Sequence, residues 1–327
     1  MRRGRNGLWL AGLLLLALTV SRSARGQTNL LTNPGFDTTQ SGAATGWKAF
    51  SSGYTVDAAT THSGAASVTM TNTTATDVRG AYQVVPINQT RPWPLVLTAW
   101  SKSSNVSGTA DHDYALYADV TYVDGTSLYA QFTAFKVGTH DWQQVYLSII
   151  PDKPIRSVTA FALFRNHSGT VWFDDFSMIA PQFAGGLKHF PNEGHQHLNP
   201  LEPAVYNTDP PTSGNHYPTF VVPGYYDKVQ VPGRLVHSLE HGNVVIYYDP
   251  ALTPSATLDK LKALVTENPG KLGFGGVVVT PRTDSRFPFI ATGWKWWLRE
   301  SAYNDAELRA FVRAYLFKGP ETIPHDD

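Results

Sequence analysis

The segment DYALYADVTYVDGTSLYAQFTAFKV, residues Asp113 to Val137, decides the fold of the first half of the chain. Apolar and polar residues alternate along it with a period of two, which is the period of a β-strand with one buried face. Asp124-Gly125 interrupts the alternation near its middle and is typical of a tight hairpin turn. The segment therefore predicts two antiparallel strands joined by that turn.

The sequence on both sides of this hairpin has the same character. From Asn29 to Ile179 the chain is rich in Thr, Ser and Gly, and short alternating runs are separated by turn residues. Many short strands spaced in this way are typical of an all-β sandwich. We therefore expect residues 27–180 to form an antiparallel β-sandwich.

One face of the predicted hairpin carries aromatic and hydrogen-bonding side chains together. Tyr117 and Asp119 are expected to share this face with Tyr129 and Gln131 of the following strand. A sugar ring presents apolar faces and hydroxyl edges, so flat aromatic rings beside a carboxylate and an amide are suited to bind it. Tyrosine is also simply a good strand residue, and the pattern alone leaves that alternative open.

Five segments, taken in order, resemble the carbohydrate-binding modules of cellulases and xylanases, of families 4, 9 and 22. They are NLLTNPGFDTT with GWKAF (29–50), THSGAASVTM (61–70), LVLTAWSKSS (95–104), HDWQQVYLSI (140–149) and GTVWFDDFSMI (169–179). The resemblance implies a jelly-roll of two sheets that binds a polysaccharide or cell-wall glycan in a cleft on its concave face. It also implies a structural calcium ion near the ends of the domain.

Two aspartates match the positions from which these modules take calcium ligands. They are Asp37 and Asp175, at opposite ends of the domain sequence. Carboxylate oxygens are the hard ligands that calcium requires. Asp175 follows Asp174 directly, and the alternative is that this acidic pair only ends a strand.

The composition changes after Ala180-Pro181, and Pro and His become frequent. We expect a linker over residues 181–193 and a small α+β domain over residues 194–327, because helical and strand patterns alternate in this part. Six of the eleven histidines of the chain fall between His189 and His241. The fold class expected for the whole chain is multidomain, with a jelly-roll sandwich followed by a His-rich α+β domain.

The clustered histidines predict a metal site. His237 and His241 are four residues apart, which places them on one face of a helix. His195, His197 and His216 come from irregular segments, where binding groups are commonly presented. The chain has no cysteine. Zinc or copper(II) is therefore the expected ion, because both are well suited to imidazole ligands.

Two motifs in this part resemble a bacterial domain family of unknown function. They are PPTSGNH, residues 210–216, and VHSLEHG, residues 236–242. The resemblance covers about residues 194–324 and implies no particular activity. Many relatives carry a cysteine where this chain has Pro223, so any role of that cysteine is absent here.

An enzymatic interpretation also fits the motif around His237. The pattern His-x-x-Glu-His is that of the inverted zinc proteases, in which Glu240 would be the general base. This mechanism needs a third ligand from a later helix, with Glu300 or Glu307 as candidates. We favour a protein that binds a glycan through the first domain and a transition metal through the second. A metal-dependent hydrolase acting on glycan is the alternative, and the sequence does not decide whether the chain is an enzyme.

The N-terminus predicts secretion. Arg2, Arg3 and Arg5 precede an apolar run, Leu8 to Val20, and a small-residue cleavage site at residues 24–26. Residues 1–26 are therefore interpreted as a signal peptide, and no membrane span is expected after its cleavage; an uncleaved N-terminal anchor is the alternative. Lys plus Arg and Asp plus Glu both number 26, so we expect no nucleic-acid partner. The oligomeric state is left open.

Overall fold

The structure, a computed structural model, describes residues 28–199, 201–284 and 286–321. The predicted signal peptide lies outside these residues. In the described part of the chain, no helix has both the length and the apolar character needed to cross a membrane.

The first half of the chain is a β-sandwich, as predicted. Two five-stranded antiparallel sheets have the strand orders β10-β7-β12-β5-β4 and β3-β6-β11-β8-β9, and one large apolar core contains the side chains of both. The strands are β1 (Thr39–Gln40), β2 (Ala43–Ala44), β3 (Lys48–Ser51), β4 (Thr55–Asp57), β5 (Ser67–Asn72), β6 (Val78–Pro86), β7 (Leu95–Val106), β8 (Tyr114–Tyr122), β9 (Ser127–Ala134), β10 (Gly138–Ile149), β11 (Ile155–Arg165) and β12 (Gly169–Ile179).

The hairpin predicted for residues 113–137 is formed by β8 and β9, and a bulge changes its predicted alternation. Ala118 pairs with Gln131, whereas Val120 pairs with Leu128, so β9 has an extra residue at this point. Ala130 lies in the bulge with a left-handed φ of 56°. A bulge reverses the faces of the residues beyond it. The side chains that follow Ala130 therefore exchange faces relative to the prediction.

The second half is a small α+β domain, also as predicted. Its sheet has the order β13-β19-β18-β15-β17-β14, with β16 paired to β17. Its elements are β13 (Leu187–His189), β14 (Gly224–Tyr225), α1 (Pro232–Glu240), β15 (Val244–Tyr248), α2 (Ser255–Glu267), β16 (Pro269–Lys271), β17 (Phe274–Pro281), β18 (Phe289–Gly293), β19 (Trp296–Glu300) and α3 (Asp305–Tyr315). The first of these strands lies inside the segment that was expected to be a linker.

Alternate residues of β15 face opposite sides of this sheet. Val244 and Ile246 belong to the apolar cluster that contains residues of α2 and α3. Val245 and Tyr247 belong to a second cluster with α1. Helix α1 therefore packs on the sheet face opposite to α2 and α3, together with the long loops before it.

Candidate metal centre and candidate glycan face

Helix α1 ends at the predicted metal site. It places His237 in its last turn and is followed directly by His241. Gly242 has a φ of +71°, and a Cβ at this position would lie 2.7 Å from the Cα of Phe317. Glycine adopts such a left-handed conformation readily and commonly terminates helices. The sharp end of α1 allows the chain to turn into β15 immediately after the two histidines.

The long loop before α1 brings two more histidines together. His197 and His216 form a parallel bridge, in which the His216 amide donates to Gln196 O at 3.0 Å and the Leu198 amide donates to His216 O at 2.7 Å. Residues nineteen positions apart are thus fixed side by side by the backbone. The sequence showed that these histidines are clustered, and the bridge explains how they converge.

Four of these residues form what we call the inner group: His197, His216, His237 and Glu240. One nitrogen or oxygen atom from each lies within 4.8 Å of the others. His216 and Glu240 are almost fully buried. His216 Nε2 lies 2.8 Å from Glu240 Oε2, yet both atoms are buried without a hydrogen bond of acceptable geometry. Buried polar atoms of native proteins are normally paired, so two such atoms in contact require an explanation.

Backbone carbonyls fix the tautomers of two histidines in the inner group. His216 Nδ1 is 2.9 Å from Gly214 O, and His237 Nδ1 is 2.7 Å from Tyr217 O. A carbonyl only accepts hydrogen bonds, so each Nδ1 carries the proton and each Nε2 keeps its lone pair. Metal-binding histidines are commonly held in this way by a hydrogen bond from the second nitrogen.

Burial determines the charges of the site. It lowers the pKa of His216 and of His237, because the charged imidazolium loses hydration. Burial, with the nearby Glu321 carboxylate as the next cause, raises the pKa of Glu240 to about 7. Neutral imidazole is the form that binds a metal, and a cation placed here would favour ionised Glu240. The donor set therefore fits a transition metal ion such as zinc or copper(II).

A second set of residues, which we call the outer group, is formed by His237, His241 and Glu321. His241 Nε2 lies 3.1 Å from Glu321 Oε2. Sequence reasoning did not find Glu321, because it lies in a stretch near the C-terminus that has no histidine motif. The Glu321 amide donates to Glu240 O at 3.2 Å, which brings it to the end of α1.

The remaining histidines of the cluster lie outside both groups. His195 Nδ1 is 3.6 Å from Glu240 Oε1, but the His195 side chain is 62% exposed. His189 packs against Trp296, with ring centroids 4.5 Å apart. The structure thus brings four of the five predicted histidine ligands into the two groups and leaves His195 at the edge.

The carboxylates needed for the protease interpretation lie together and not with the histidines. Glu300 lies beside Glu307, and burial with this neighbouring carboxyl group raises the pKa of Glu300 to about 8. Neither belongs to a metal-binding group in the described residues. Glu240, the predicted general base, is itself a member of the inner group. The geometry therefore gives Glu240 the position of a ligand.

On the sandwich, four aromatic residues form a row across neighbouring strands. Phe161 pairs with Tyr82 on one side and with Tyr117 on the other, and Tyr117 pairs with Phe132. Directly paired residues share a sheet face. The rings of Tyr82 and Tyr117 each lie 5.6 Å from that of Phe161, between centroids. We call these four residues the aromatic row.

The four predicted sugar-binding residues do not all lie on one face of the sheet. Tyr117 lies in the aromatic row. Tyr129 is 68% exposed at the bulge, and Asp119 Oδ1 accepts a hydrogen bond from the Ala130 amide at 3.1 Å. Gln131 pairs with the buried Ala118, so the bulge turns it to the core side of β9. Sequence alternation missed Phe132 for the same reason.

The predicted calcium ligands lie near each other. A Cβ on Gly35 would be 3.0 Å from Asp37 Oδ2 and 3.4 Å from Asp175 Oδ1. Both carboxylates already contact protein groups: Asp175 Oδ2 lies 2.6 Å from His62 Nδ1, and Asp37 accepts from the Ala65 amide. These contacts also stabilise the loop without an ion, so a calcium ion at this point stays a prediction.

Comparison with known proteins gives a family match for the second domain. Residues 197–327 match the family described as a protein of unknown function, DUF3105. This agrees with the predicted resemblance to a family of unknown function.

Two solved structures are similar to part of the chain. One is the CBM22-1 xylan-binding domain from Paenibacillus barcinonensis Xyn10C, with 16% identity and a TM-score of 0.37 over 50% of this chain and 100% of that one. The other is TmCBM61 in complex with beta-1,4-galactotriose, with 16% identity and a TM-score of 0.33 over 47% of this chain and 99% of that one.

A curated relative by sequence is the tRNA nuclease WapA of Bacillus subtilis strain 168, which is 43% identical over 91 residues. The match covers 27% of this chain and 4% of that protein. The chain thus corresponds to a very small part of the curated relative.

Proposed function

We propose that this chain is a secreted protein that attaches to a polysaccharide or cell-wall glycan through its sandwich and holds a zinc or copper(II) ion in the inner group. The contact between His216 Nε2 and Glu240 Oε2 carries the metal proposal. Both atoms are buried without a hydrogen bond. A cation coordinated by both atoms would satisfy them at once.

The arrangement favours metal binding over hydrolysis. Three imidazoles and a carboxylate supply four ligand atoms, the number found in closed zinc sites. Glu240 is needed as the fourth ligand, so it is not left free as a general base. Neither Glu300 nor Glu307 is near enough to join the histidines as the third ligand of a protease site.

Metal analysis of the purified protein tests the first part of the proposal. We expect one zinc or copper ion per chain, measured by inductively coupled plasma mass spectrometry after dialysis. His216→Ala should lose most of this ion, while His189→Gln, a histidine of the same domain outside both groups, should retain it. A wild-type protein that binds neither ion, or a His216→Ala variant with full occupancy, would refute the proposed site.

The glycan proposal is supported by the aromatic row and by the exposed Tyr129 beside it. Rings displayed on a sheet surface can stack against the apolar faces of sugars, and Asp119 lies nearby to accept hydrogen bonds from hydroxyls. The proposed cleft therefore runs across strands β6, β11, β8 and β9.

Retention on insoluble xylan, cellulose and peptidoglycan tests this part. Tyr117→Ala and Tyr129→Ala should each reduce retention about 2- to 12-fold, because each removes stacking worth about 0.5–1.5 kcal/mol. Tyr146→Ala is the matched control, since Tyr146 is an exposed tyrosine on the opposite sheet. Equal losses in all three variants, or no retention of the wild type on any glycan, would contradict the proposal.

A further inference from the structure

We propose that the metal site has two positions, the inner group and the outer group, and that an ion enters at the outer position and passes to the inner one by exchanging ligands on His237. This inference rests on the proposed metal-binding function. It assigns a role to His241 and Glu321, which the inner group does not use.

His237 has only one nitrogen available for coordination. Its Nδ1 donates to Tyr217 O, so Nε2 is the atom that both groups share. One imidazole nitrogen binds one metal ion, and therefore the two groups cannot both be complete at the same time. The shared ligand makes them alternative positions for a single ion, which stays bound to His237 while the other ligands are exchanged.

The two positions differ in the type of ligand that each exposes to solvent. In the inner group the exposed ligand is His197, while the side chains of His216 and Glu240 are at most 3% exposed. In the outer group, the Glu321 side chain is 45% exposed, while His241 is buried. The exposed ligand of the outer position is thus a carboxylate, which raises the local concentration of cations, so we take Glu321 as the point of entry.

The outer group is held in a fixed position relative to the inner one. The ring of His241 stacks on Phe274, with centroids 3.8 Å apart, and contacts Phe220 from another side at 4.6 Å. The Glu321 amide is bonded to Glu240 O, and Glu240 belongs to the inner group. These contacts keep the two positions adjacent, as a transfer between them requires.

Loading kinetics with Co²⁺, a spectroscopic substitute for zinc, test the inference. Wild-type protein should bind one Co²⁺, followed by visible absorption in a stopped-flow instrument. Glu321→Gln should reach the same final spectrum and stoichiometry. Its loading rate should be about tenfold lower, because it loses the carboxylate at the entrance. Glu202→Gln, an exposed carboxylate on a loop of the same domain, should load like the wild type.

A second measurement places the ion in the outer group directly. The double variant His197→Ala/His216→Ala leaves the outer group intact and should still bind one Co²⁺ from a saturating solution, with a changed spectrum and an affinity at least tenfold weaker, so that this ion is lost on dialysis. Addition of Glu321→Gln to this background should abolish the remaining binding. Circular dichroism checks that the variants are folded. The loading rate of the single variant Glu321→Gln tests the inference even if the variants with buried substitutions do not fold.

The possible failures can be distinguished. If Glu321→Gln loads at the wild-type rate, Glu321 and His241 form only a hydrogen bond. The proposed transfer from the outer group is then wrong, while metal binding by the inner group is unaffected. If the wild-type protein binds no Co²⁺, zinc or copper, the proposed function itself fails.

Discussion

At the scale of single residues, His216 and Glu240 show how this site differs from ordinary packing. Each unsatisfied polar group in a protein interior costs about 1–3 kcal/mol. Here a nitrogen and an oxygen are buried in contact without a hydrogen bond. Apolar residues of the same size would avoid that cost, so a bound ion gives a physical reason for the pair.

Gly242 offers a stability prediction at the same scale. Gly242→Ala should destabilise the protein, because the left-handed φ disfavours a side chain and a Cβ would lie 2.7 Å from the Phe317 backbone. We expect a loss of about 1–3 kcal/mol relative to Gly125→Ala, measured by urea unfolding. Gly125 has a similar φ of +87° but nothing within 4 Å of its added Cβ, so the difference between the variants isolates the contact. Equal losses would show that the end of α1 is not tightly packed.

Sequence reasoning identified some residues of the site and not others, for physical reasons. His237 and His241 were found because helical spacing is local and visible in the sequence. His197 and His216 were found by composition, although the backbone bridge that pairs them leaves no sequence pattern. Glu321 could not be found, because its approach depends on the packing of the chain after α3 over the end of α1.

At the scale of secondary-structure elements, alternation predicted the strands well but not the bulge. Strands β8 and β9 and their turn were predicted from a period of two. The extra residue at Ala130 then moved Phe132 to the side of Tyr117 and Gln131 to the core side. A bulge inserts one residue without a distinctive residue type, so counting by two from the turn assigned the wrong face to everything beyond it. In the second sheet, β18 and β19 form a hairpin whose turn contains Lys295 with a left-handed φ of 66°.

The junction of β19 and α3 predicts a pH dependence of stability. Burial and the contact with Glu307 raise the pKa of Glu300 to about 8 in the folded protein, above that of an ordinary glutamate. The folded state therefore keeps a proton that the unfolded state releases. The contribution of the Glu300 carboxyl group to the free energy of unfolding is fully present below about pH 4 and is lost as the pH rises towards 8. Glu300→Gln has no proton to lose, so its melting temperature should rise relative to the wild type between pH 5 and pH 8.5.

Differential scanning calorimetry at pH 5, 7 and 8.5 checks this prediction. Glu202→Gln, in an exposed loop, is the control for removal of a carboxylate. A difference between Glu300→Gln and the wild type that stays constant over this range would mean that Glu300 does not retain its proton in the folded protein.

At the scale of the whole molecule, the two domains share an apolar contact. Val96 of the sandwich belongs to the cluster formed by α2, α3 and the second sheet, and Ile150 packs against the same cluster. Two polar contacts reinforce it: Ser148 Oγ donates to Arg313 O at 2.9 Å, and Lys295 Nζ lies 2.7 Å from Asp152. The second domain therefore packs directly on the sandwich, and the segment between them contributes β13 to the second sheet.

This contact predicts that the domains unfold together. We expect one calorimetric transition for the wild type, and saturating Zn²⁺ should raise its temperature as a whole, because an ion at 100 times its dissociation constant adds about 2.7 kcal/mol to the stability of the folded state. Val96→Asp should divide the transition in two, since a buried charge weakens the shared cluster, and Zn²⁺ should then shift only the transition of the second domain. Val84→Asp, at a site that is 53% exposed on the sandwich, should keep the single transition. Two transitions in the wild type without metal would show that the contact does not couple the domains, whatever the ion does.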